Sequence, residues 1–174
     1  KKIIEYRIKD LYGPLAIQNI HDFMDNLSSD NPVPGGGSVS ALAGAMGASL
    51  SSMVANLTFG RKKWLSAHDQ MLHIAQNSQQ LKDELIQLID ADTNAFHLLM
   101  EAYSKPKKTE NQIIERNNAI ALSMKNATNV PFKTLQYCRD IMDLALKAAQ
   151  YGNPNSVSDA GVAGEIANAG ARGA

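Results

Sequence analysis

Helical periodicity runs through almost the whole chain and limits the folds open to it. Apolar residues recur every three to four positions, and Ile3 to Ile8 is the only short stretch with an extended character. Proline and glycine interrupt the pattern at a few points, which predicts short connecting loops. The sequence therefore predicts an all-α fold, a bundle of about six helices with a long third helix. The predicted helices span residues 17–27, 38–58, 66–102, 109–127, 131–151 and 156–174.

Several helix ends carry sequence signals of their own. Ser66 with Asp69, Thr109 with Gln112, and Ser156 with Asp159 have the spacing of N-terminal capping pairs. Ser38 is expected to cap the second helix. Pro131 suits the first turn of a helix, so we predict that a new helix begins there.

Composition narrows the class of protein. The 174 residues include 17 Lys and Arg and 17 Asp and Glu, so the formal net charge of zero argues against nucleic-acid binding. The single cysteine, Cys138, excludes an intramolecular disulfide and favours a reducing compartment. We find no uninterrupted apolar run of membrane-spanning length and no signal peptide, and we expect a cytoplasmic protein that does not bind membranes. The chain lacks an initial methionine and stops inside a helical pattern, so we interpret it as part of a longer polypeptide.

The second helix follows an unusual loop. Three consecutive glycines, Gly35, Gly36 and Gly37, carry no Cβ atom, so a partner group can approach the main chain closely. The N-terminus of the helix behind them can bind a carboxylate, a phosphate or a polarised oxygen. The spacing matches neither the Walker motif nor the dinucleotide-binding motif. A tight turn that leads into a buried helix explains the same residues, and the sequence leaves both interpretations open.

The second helix itself is apolar on two faces. A bulky face consists of Leu42, Met46, Leu50, Met53 and Leu57. A small-residue stripe consists of Ser40, Gly44, Gly47, Ala48, Ser51 and Ala55. A helix that is apolar all round is expected to be buried all round. The stripe predicts close packing against another helix, of this chain or of a second subunit.

Asp92 interrupts the apolar stripe of the third helix. Leu81, Leu85, Leu88, Phe96 and Leu99 share one face, and Asp92 lies four residues after Leu88 and four before Phe96. Asp90 falls on the opposite, solvent-facing stripe. A carboxylate that faces the core needs a partner or a function. Asp92 is therefore a candidate for proton transfer, and the alternative is a buried aspartate that pairs with an arginine or caps a helix end.

The remaining polar residues carry weaker signals. The four histidines lack metal-ligand spacing, so no metal site is predicted. The basic turns at 61–63 and 105–108 are solvated, or hold the anionic tail of a substrate. Cys138 has no activating partner nearby in the sequence and is expected in the core.

Three segments in order resemble one known family. They are PGGGSVSALAGAMGASLSSMVANLTFGRKKW at 34–64, LIDADTNAF at 88–96 and GNPNSVSD at 152–159. Together they resemble the cyclodeaminase domain of formimidoyltransferase-cyclodeaminase and the related bacterial methenyltetrahydrofolate cyclohydrolases. IIEY at 3–6 resembles the junction that follows the transferase in the fused enzymes. The resemblance divides the chain into a linker at 1–16 and a cyclodeaminase-like helical domain at 17–174, which is C-terminally incomplete because the family's domain continues further.

The resemblance implies a function. It implies an all-helical lyase without a metal or a covalently bound cofactor, which acts on a tetrahydrofolate derivative. The reaction would convert 5-formimidoyltetrahydrofolate to 5,10-methenyltetrahydrofolate with release of ammonia, a step of histidine degradation and one-carbon metabolism. Methenyltetrahydrofolate cyclohydrolase and a non-catalytic folate-binding helical module are the alternatives. A homodimer or larger homo-oligomer is expected, because the family's sites lie at a subunit interface, and a fused or associated formimidoyltransferase is expected upstream.

The resemblance also assigns residues. Asp92 is the second aspartate of the D-A-D motif and corresponds to the family's acid/base residue. We expect Gly35, Gly36, Gly37 and Ser38 to bind polar edges of the folate. Ser158 and Asp159, at another helix start, are expected to contact the pterin.

Overall fold

The computed structural model describes residues 12–174, and these residues form five α-helices. They are α1 (Ile20–Leu27), α2 (Gly36–Thr58), α3 (His68–Ser104), α4 (Glu110–Tyr151) and α5 (Val157–Gly173), with short 3-10 helices at Lys62–Ala67 and Pro154–Ser156. No strand occurs among the described residues, so the all-α prediction is confirmed. The extended stretch predicted at Ile3 to Ile8 and the junction-like IIEY lie outside the described residues.

Two long antiparallel helices form the frame of the bundle. α3 has 37 residues and α4 has 42, and a short turn at residues 105–109 joins them. The shorter helix α2 packs against both members of this pair, and α5 packs against α4 and α2. Two clusters of buried apolar residues follow, one around Leu85, Ile89 and Ile141 and one around Val54 and Ile74.

The prediction of a helix boundary at Pro131 is wrong, because α4 runs through this residue without a break. A proline inside a helix costs about 3 kcal/mol, since it removes one backbone hydrogen bond and crowds the preceding turn. Burial of the following turns offsets that cost: Thr134, Cys138 and Ile141 are almost completely buried on the face that packs into the bundle. The two helices predicted at 109–127 and 131–151 are therefore one.

The predicted capping pairs have different outcomes. Thr109 and Gln112 form the predicted capping box at the start of α4. Ser66 does not cap α3, because it lies in the 3-10 helix at Lys62–Ala67 and α3 begins only at His68. Ser156 occupies the N-cap position of α5, but its side chain makes no capping hydrogen bond.

The small-residue stripe of α2 packs closely, as predicted. A Cβ atom at Gly47 would lie 2.8 Å from the carbonyl oxygen of Ala163 on α5, and one at Gly44 would lie 2.7 Å from the Sγ of Cys138 on α4. The partners belong to the same chain. These close contacts require glycine at positions 44 and 47 of α2 and small residues on α5.

The bulky face of α2 is not buried, contrary to expectation. Met46, Met53 and Leu57 are 43%, 38% and 39% exposed. α2 has the length and apolar composition of a membrane-spanning helix, with a mean hydropathy of 1.3 in its most apolar window, but 61% of that window is buried within the bundle. Small side chains face inward and large ones face outward, because the close helix contacts leave no room for bulk.

Candidate active site

The glycine loop leads directly into α2. The loop runs from the end of α1 at Leu27, contains a cis peptide bond between Val33 and Pro34, and ends at Gly35, the N-cap residue. No side chain caps α2, and its first turn has no acidic residue. The first N–H groups of a helix have no partner within the helix, so this end carries free donors and a partial positive charge.

Ser38 is not the cap that the sequence predicted. α2 begins two residues earlier, at Gly36, so Ser38 lies inside the first turn. Its side chain is completely buried and its hydroxyl donates to the carbonyl oxygen of Ile89 on α3 at 2.9 Å. Ser38 therefore joins the start of α2 to the middle of α3.

Asp92 lies on α3 directly opposite this start of α2. Its side chain is half-buried, and its Oδ2 is 3.3 Å from the Oγ of Ser38. A Cβ atom on Gly37 would overlap the Asp92 carboxylate, so glycine at position 37 makes room for that group. Among the described residues Asp92 forms no ion pair, and the alternative of an aspartate paired to an arginine is not observed.

A cavity of about 270 Å³ opens beside Asp92. One side is the glycine loop and the other is the continuation of α3 with one turn of α4. The lining residues are Pro32, Val33, Gly35, Gly36, Asp92, Ala95, Phe96, Leu99 and Ala127. The cavity thus combines one carboxylate, the free end of a helix and an apolar wall, which is the usual composition of a small-molecule site.

Sequence reasoning missed part of this wall. Phe96 and Leu99 lie four and seven residues after Asp92 on the same face of α3, so helical spacing could have identified them. Ala127 carries no signal in the sequence, because only the antiparallel pairing of α3 and α4 brings it to the cavity.

Asp90 is buried, so the prediction that it points to solvent is wrong. Only 7% of this residue is exposed, and its two carboxylate oxygens accept hydrogen bonds from the backbone N–H groups of Leu15 at 2.9 Å and Ala16 at 3.0 Å. The segment before α1 covers the face of α3 that the helical pattern assigned to solvent. Asp90 thus holds this segment and lies on the side of α3 away from Asp92.

Ser158 and Asp159 are not close to the cavity within one chain. They lie in the first turn of α5, next to the C-terminal end of α2, where the N–H of Asn153 donates to the Oγ1 of Thr58 at 2.8 Å. The cavity lies at the other, N-terminal end of α2. Ser158 is exposed and Asp159 is half-buried.

Other reactive groups lie outside the cavity. Burial raises the pKa of the Cys138 thiol to about 11, and the fully buried sulfur packs under Gly44 in the core as expected. Within residues 12–174, His, Cys, Asp and Glu side chains form no group of three that could hold a metal ion. Asp92 is thus the titratable group that the cavity offers for proton transfer.

Comparison with known proteins identifies the family. The family model described as Formiminotransferase-cyclodeaminase matches residues 19–174. The chain belongs to the formiminotransferase-cyclodeaminase family. A methenyltetrahydrofolate cyclohydrolase from Methylorubrum extorquens is 42% identical over 90% of this chain and 76% of its own length. A crystal structure of formiminotetrahydrofolate cyclodeaminase from Thermotoga maritima superposes with a TM-score of 0.77 at 28% identity, over 88% of this chain and 73% of that one.

Two-domain members of the formiminotransferase-cyclodeaminase family are also similar. The formimidoyltransferase-cyclodeaminase of Mus musculus is 31% identical over 100% of this chain, and that of Dictyostelium discoideum is 37% identical over 91%. The chain spans only 32% and 29% of the lengths of these two proteins. It therefore corresponds to one part of the fused enzymes.

Proposed function

We propose that this chain carries a formimidoyltetrahydrofolate cyclodeaminase site, at which Asp92 is the acid/base residue. The observation that carries the proposal is the position of the Asp92 carboxylate, in a cavity wall and opposite the free N-terminus of α2. The names of the relatives supply the substrate class, a tetrahydrofolate derivative with a one-carbon group. The similarity to the mouse protein, which extends over the whole chain, supports a transferase upstream.

The chemistry needs one group that accepts and then returns a proton. The formimidoyl group enters as an amidinium cation, with two protons on its terminal nitrogen. The folate N10 attacks its carbon, forms the N10–C bond and loses its proton to the Asp92 carboxylate, while the π electrons of the C=N bond move to the terminal nitrogen and leave it as a neutral NH2 group. Asp92 then gives that proton to the departing nitrogen, the C–N bond breaks, and ammonia leaves. The N–H groups at the start of α2, at Gly36 and Gly37, would bind the polar edge of the folate.

Methenyltetrahydrofolate cyclohydrolase activity is the second candidate. The relative with 42% identity bears this name, and the family resemblance extends through the segments around the glycine loop and Asp92. Water would attack the same carbon and lose a proton to Asp92. Asp92 would then return that proton to the ring nitrogen whose bond to this carbon breaks. Ammonia release from 5-formimidoyltetrahydrofolate, measured beside hydrolysis of 5,10-methenyltetrahydrofolate with the full-length protein, separates the two activities. A folate-binding protein with neither activity would contradict both.

The Asp92→Asn substitution tests the proposed role. Asparagine keeps the size of the side chain but cannot exchange a proton, so turnover should fall roughly 10²- to 10⁴-fold while binding of a folate analogue persists. Asp90 is unsuitable as the control because it is buried and hydrogen-bonded. Glu101→Gln removes an exposed carboxylate from the same helix and should leave turnover unchanged. Near-normal turnover of Asp92→Asn would refute the assignment.

A homodimer fits the exposed apolar face of α2. Val39, Met46 and Met53 lie seven residues apart along this face, and all three are partly exposed. Two copies of α2 that pack antiparallel about a two-fold axis near Met46 would cover both faces. The C-terminal end of each α2 would then lie beside the cavity of the other subunit. In this arrangement Ser158 and Asp159 of the partner subunit would lie closer to the folate than those of the same subunit.

Mixing two inactive variants tests this arrangement. Asp92→Asn and Asp159→Ala should each strongly lower the activity of a homodimer. If the site combines Asp92 of one subunit with Asp159 of the other, half of the dimers in an equal mixture contain one intact site, and about a quarter of the activity should return. No recovery, in a mixture shown by mass spectrometry to contain heterodimers, would contradict the shared site.

The expected cytoplasmic location stays a prediction.

A further inference from the structure

The Ser38 hydroxyl has more neighbours than its one proton can serve. Its Oγ lies 2.9 Å from the carbonyl oxygen of Ile89, 3.3 Å from the Oδ2 of Asp92 and 3.5 Å from the Oγ1 of Thr93. A hydroxyl donates one hydrogen bond and accepts two. The two acceptors, Ile89 and Asp92, therefore compete for the proton of Ser38.

Burial limits what this hydroxyl can contact. Ser38 has no exposed surface, whereas Asp92 is half-buried and lines the cavity. A ligand in the cavity therefore reaches Asp92 but not Ser38 in this conformation. Any influence of Ser38 on the chemistry acts through Asp92.

We propose that Ser38 is a positioning residue that supports Asp92 in both of its protonation states. This inference rests on the proposed function of Asp92. When Asp92 is ionised, the Ser38 O–H turns toward Oδ2 and donates to it. When Asp92 carries the proton, its own O–H donates to the Ser38 oxygen, and the Ser38 proton turns back to the carbonyl of Ile89. Only a hydroxyl rotation separates the two arrangements, so the carboxylate keeps its position while it accepts and returns a proton.

This arrangement explains the residue type at position 38. Alanine would fill nearly the same space but could serve neither form of Asp92. Gly37, immediately before it, leaves room for the carboxylate. Two neighbouring residues at the start of α2 thus determine the position of the Asp92 side chain. Gly37 leaves space for it, and Ser38 forms a hydrogen bond with it.

Ser38→Ala in the full-length protein tests the proposal, and Ser51→Ala is the matched control. Ser51 lies in the same helix, is also completely buried, and donates to the carbonyl of Gly47 at 3.0 Å, away from the cavity. A hydrogen bond to a charged group affects rates about ten- to a hundred-fold, so kcat of Ser38→Ala should fall by this factor with little change in KM. Ser51→Ala should leave both kcat and KM unchanged. Melting curves of the two variants compare the effects on stability.

A double substitution separates this inference from the proposed function. If Ser38 acts through Asp92, adding Ser38→Ala to Asp92→Asn should lower the residual kcat by less than about two-fold. Equal loss in both backgrounds, or a normal kcat in Ser38→Ala, would overturn the positioning role while Asp92→Asn still reports on the acid/base role. Normal turnover of Asp92→Asn would instead refute the proposed function itself.

Discussion

Two adjacent glycines at the cavity are glycine for different physical reasons. A Cβ atom at Gly36 would meet no atom within 4 Å, whereas one at Gly37 would overlap the carboxylate of Asp92. Neither residue has a positive φ angle, so backbone strain plays no part. Gly37 leaves space for Asp92, and we expect the open space at Gly36 to accommodate a ligand.

We predict opposite outcomes for alanine at these two positions. Gly37→Ala should displace the Asp92 side chain and lower turnover at least as much as Ser38→Ala, about ten- to a hundred-fold. Gly36→Ala should fold normally, and the larger Gly36→Val should weaken binding of a folate analogue without lowering the melting temperature. Steady-state kinetics, analogue titration and thermal melting measure these effects. Equal behaviour of Gly36→Ala and Gly37→Ala would show that the carboxylate can move away freely.

At the scale of elements, α2 shows what a helical pattern can and cannot predict. The sequence predicted its existence, its extent to Thr58 and the close packing of its small residues. It could not predict that the bulky face is the exposed one, because both faces are apolar and periodicity ranks them equally. Contacts with α5 determine which face of α2 is buried. Ala163, Ala167 and Gly170 of α5 lie so close to α2 that only its glycine face fits against them.

Gly47→Leu should destabilise the protein through this contact. The backbone carbonyl of Ala163 already lies 2.8 Å from the position of a Cβ atom, so the added side chain forces α2 and α5 apart. Overpacking of this kind costs about 1–3 kcal/mol in the free energy of unfolding. Gly161→Leu on α5 is the control, because a Cβ atom there meets nothing within 4 Å and leucine has the higher helix propensity. Urea unfolding of both variants gives the comparison, and equal stability would exclude a tight α2–α5 contact.

The two aspartates of α3 show the same limit at the site. Periodicity identified Asp92 as the unusual carboxylate, and the structure gives it a cavity and a partner. The same reasoning wrongly assigned Asp90 to solvent. The segment that covers Asp90 contains Leu15, which is 75 residues away in sequence, and the periodicity of one helix carries no information about such a contact. Contacts between distant parts of the chain, such as Leu15 with Asp90 or Ala127 with the cavity, are what one-dimensional spacing cannot supply.

At the scale of the whole molecule, the segment before α1 is fastened along α3. The Tyr12 hydroxyl donates to Asp83 at 2.7 Å, and two backbone N–H groups donate to Asp90 one heptad further on. Burial and then the hydrogen bond to Asp83 raise the pKa of Tyr12 to about 12. A domain joined upstream would thus connect through a segment that packs against α3, the helix that carries Asp92.

Asp90→Ala should loosen this segment. Two partly buried N–H groups lose a charged acceptor, so we expect the free energy of unfolding to fall by about 2–3 kcal/mol. Hydrogen exchange at the amides of Leu15 and Ala16 should accelerate more than exchange in the core of α4. Asp83→Ala removes a contact of a side chain that is 47% exposed and should cost less than about 1 kcal/mol. Unchanged exchange at Leu15 and Ala16 in Asp90→Ala would show that other contacts hold the segment.

Pro131 affects the part of α4 that lies beside the cavity. Proline has no N–H, so the carbonyl oxygen of Ala127, four residues earlier in α4, lacks its helical donor. Ala127 belongs to the cavity wall, opposite the uncapped start of α2. The start of α2 therefore supplies free donors beside this space, and the turn of α4 that lines it contains a carbonyl without its i+4 donor. We expect a flat ligand with acceptors along one edge to bind with that edge toward the start of α2.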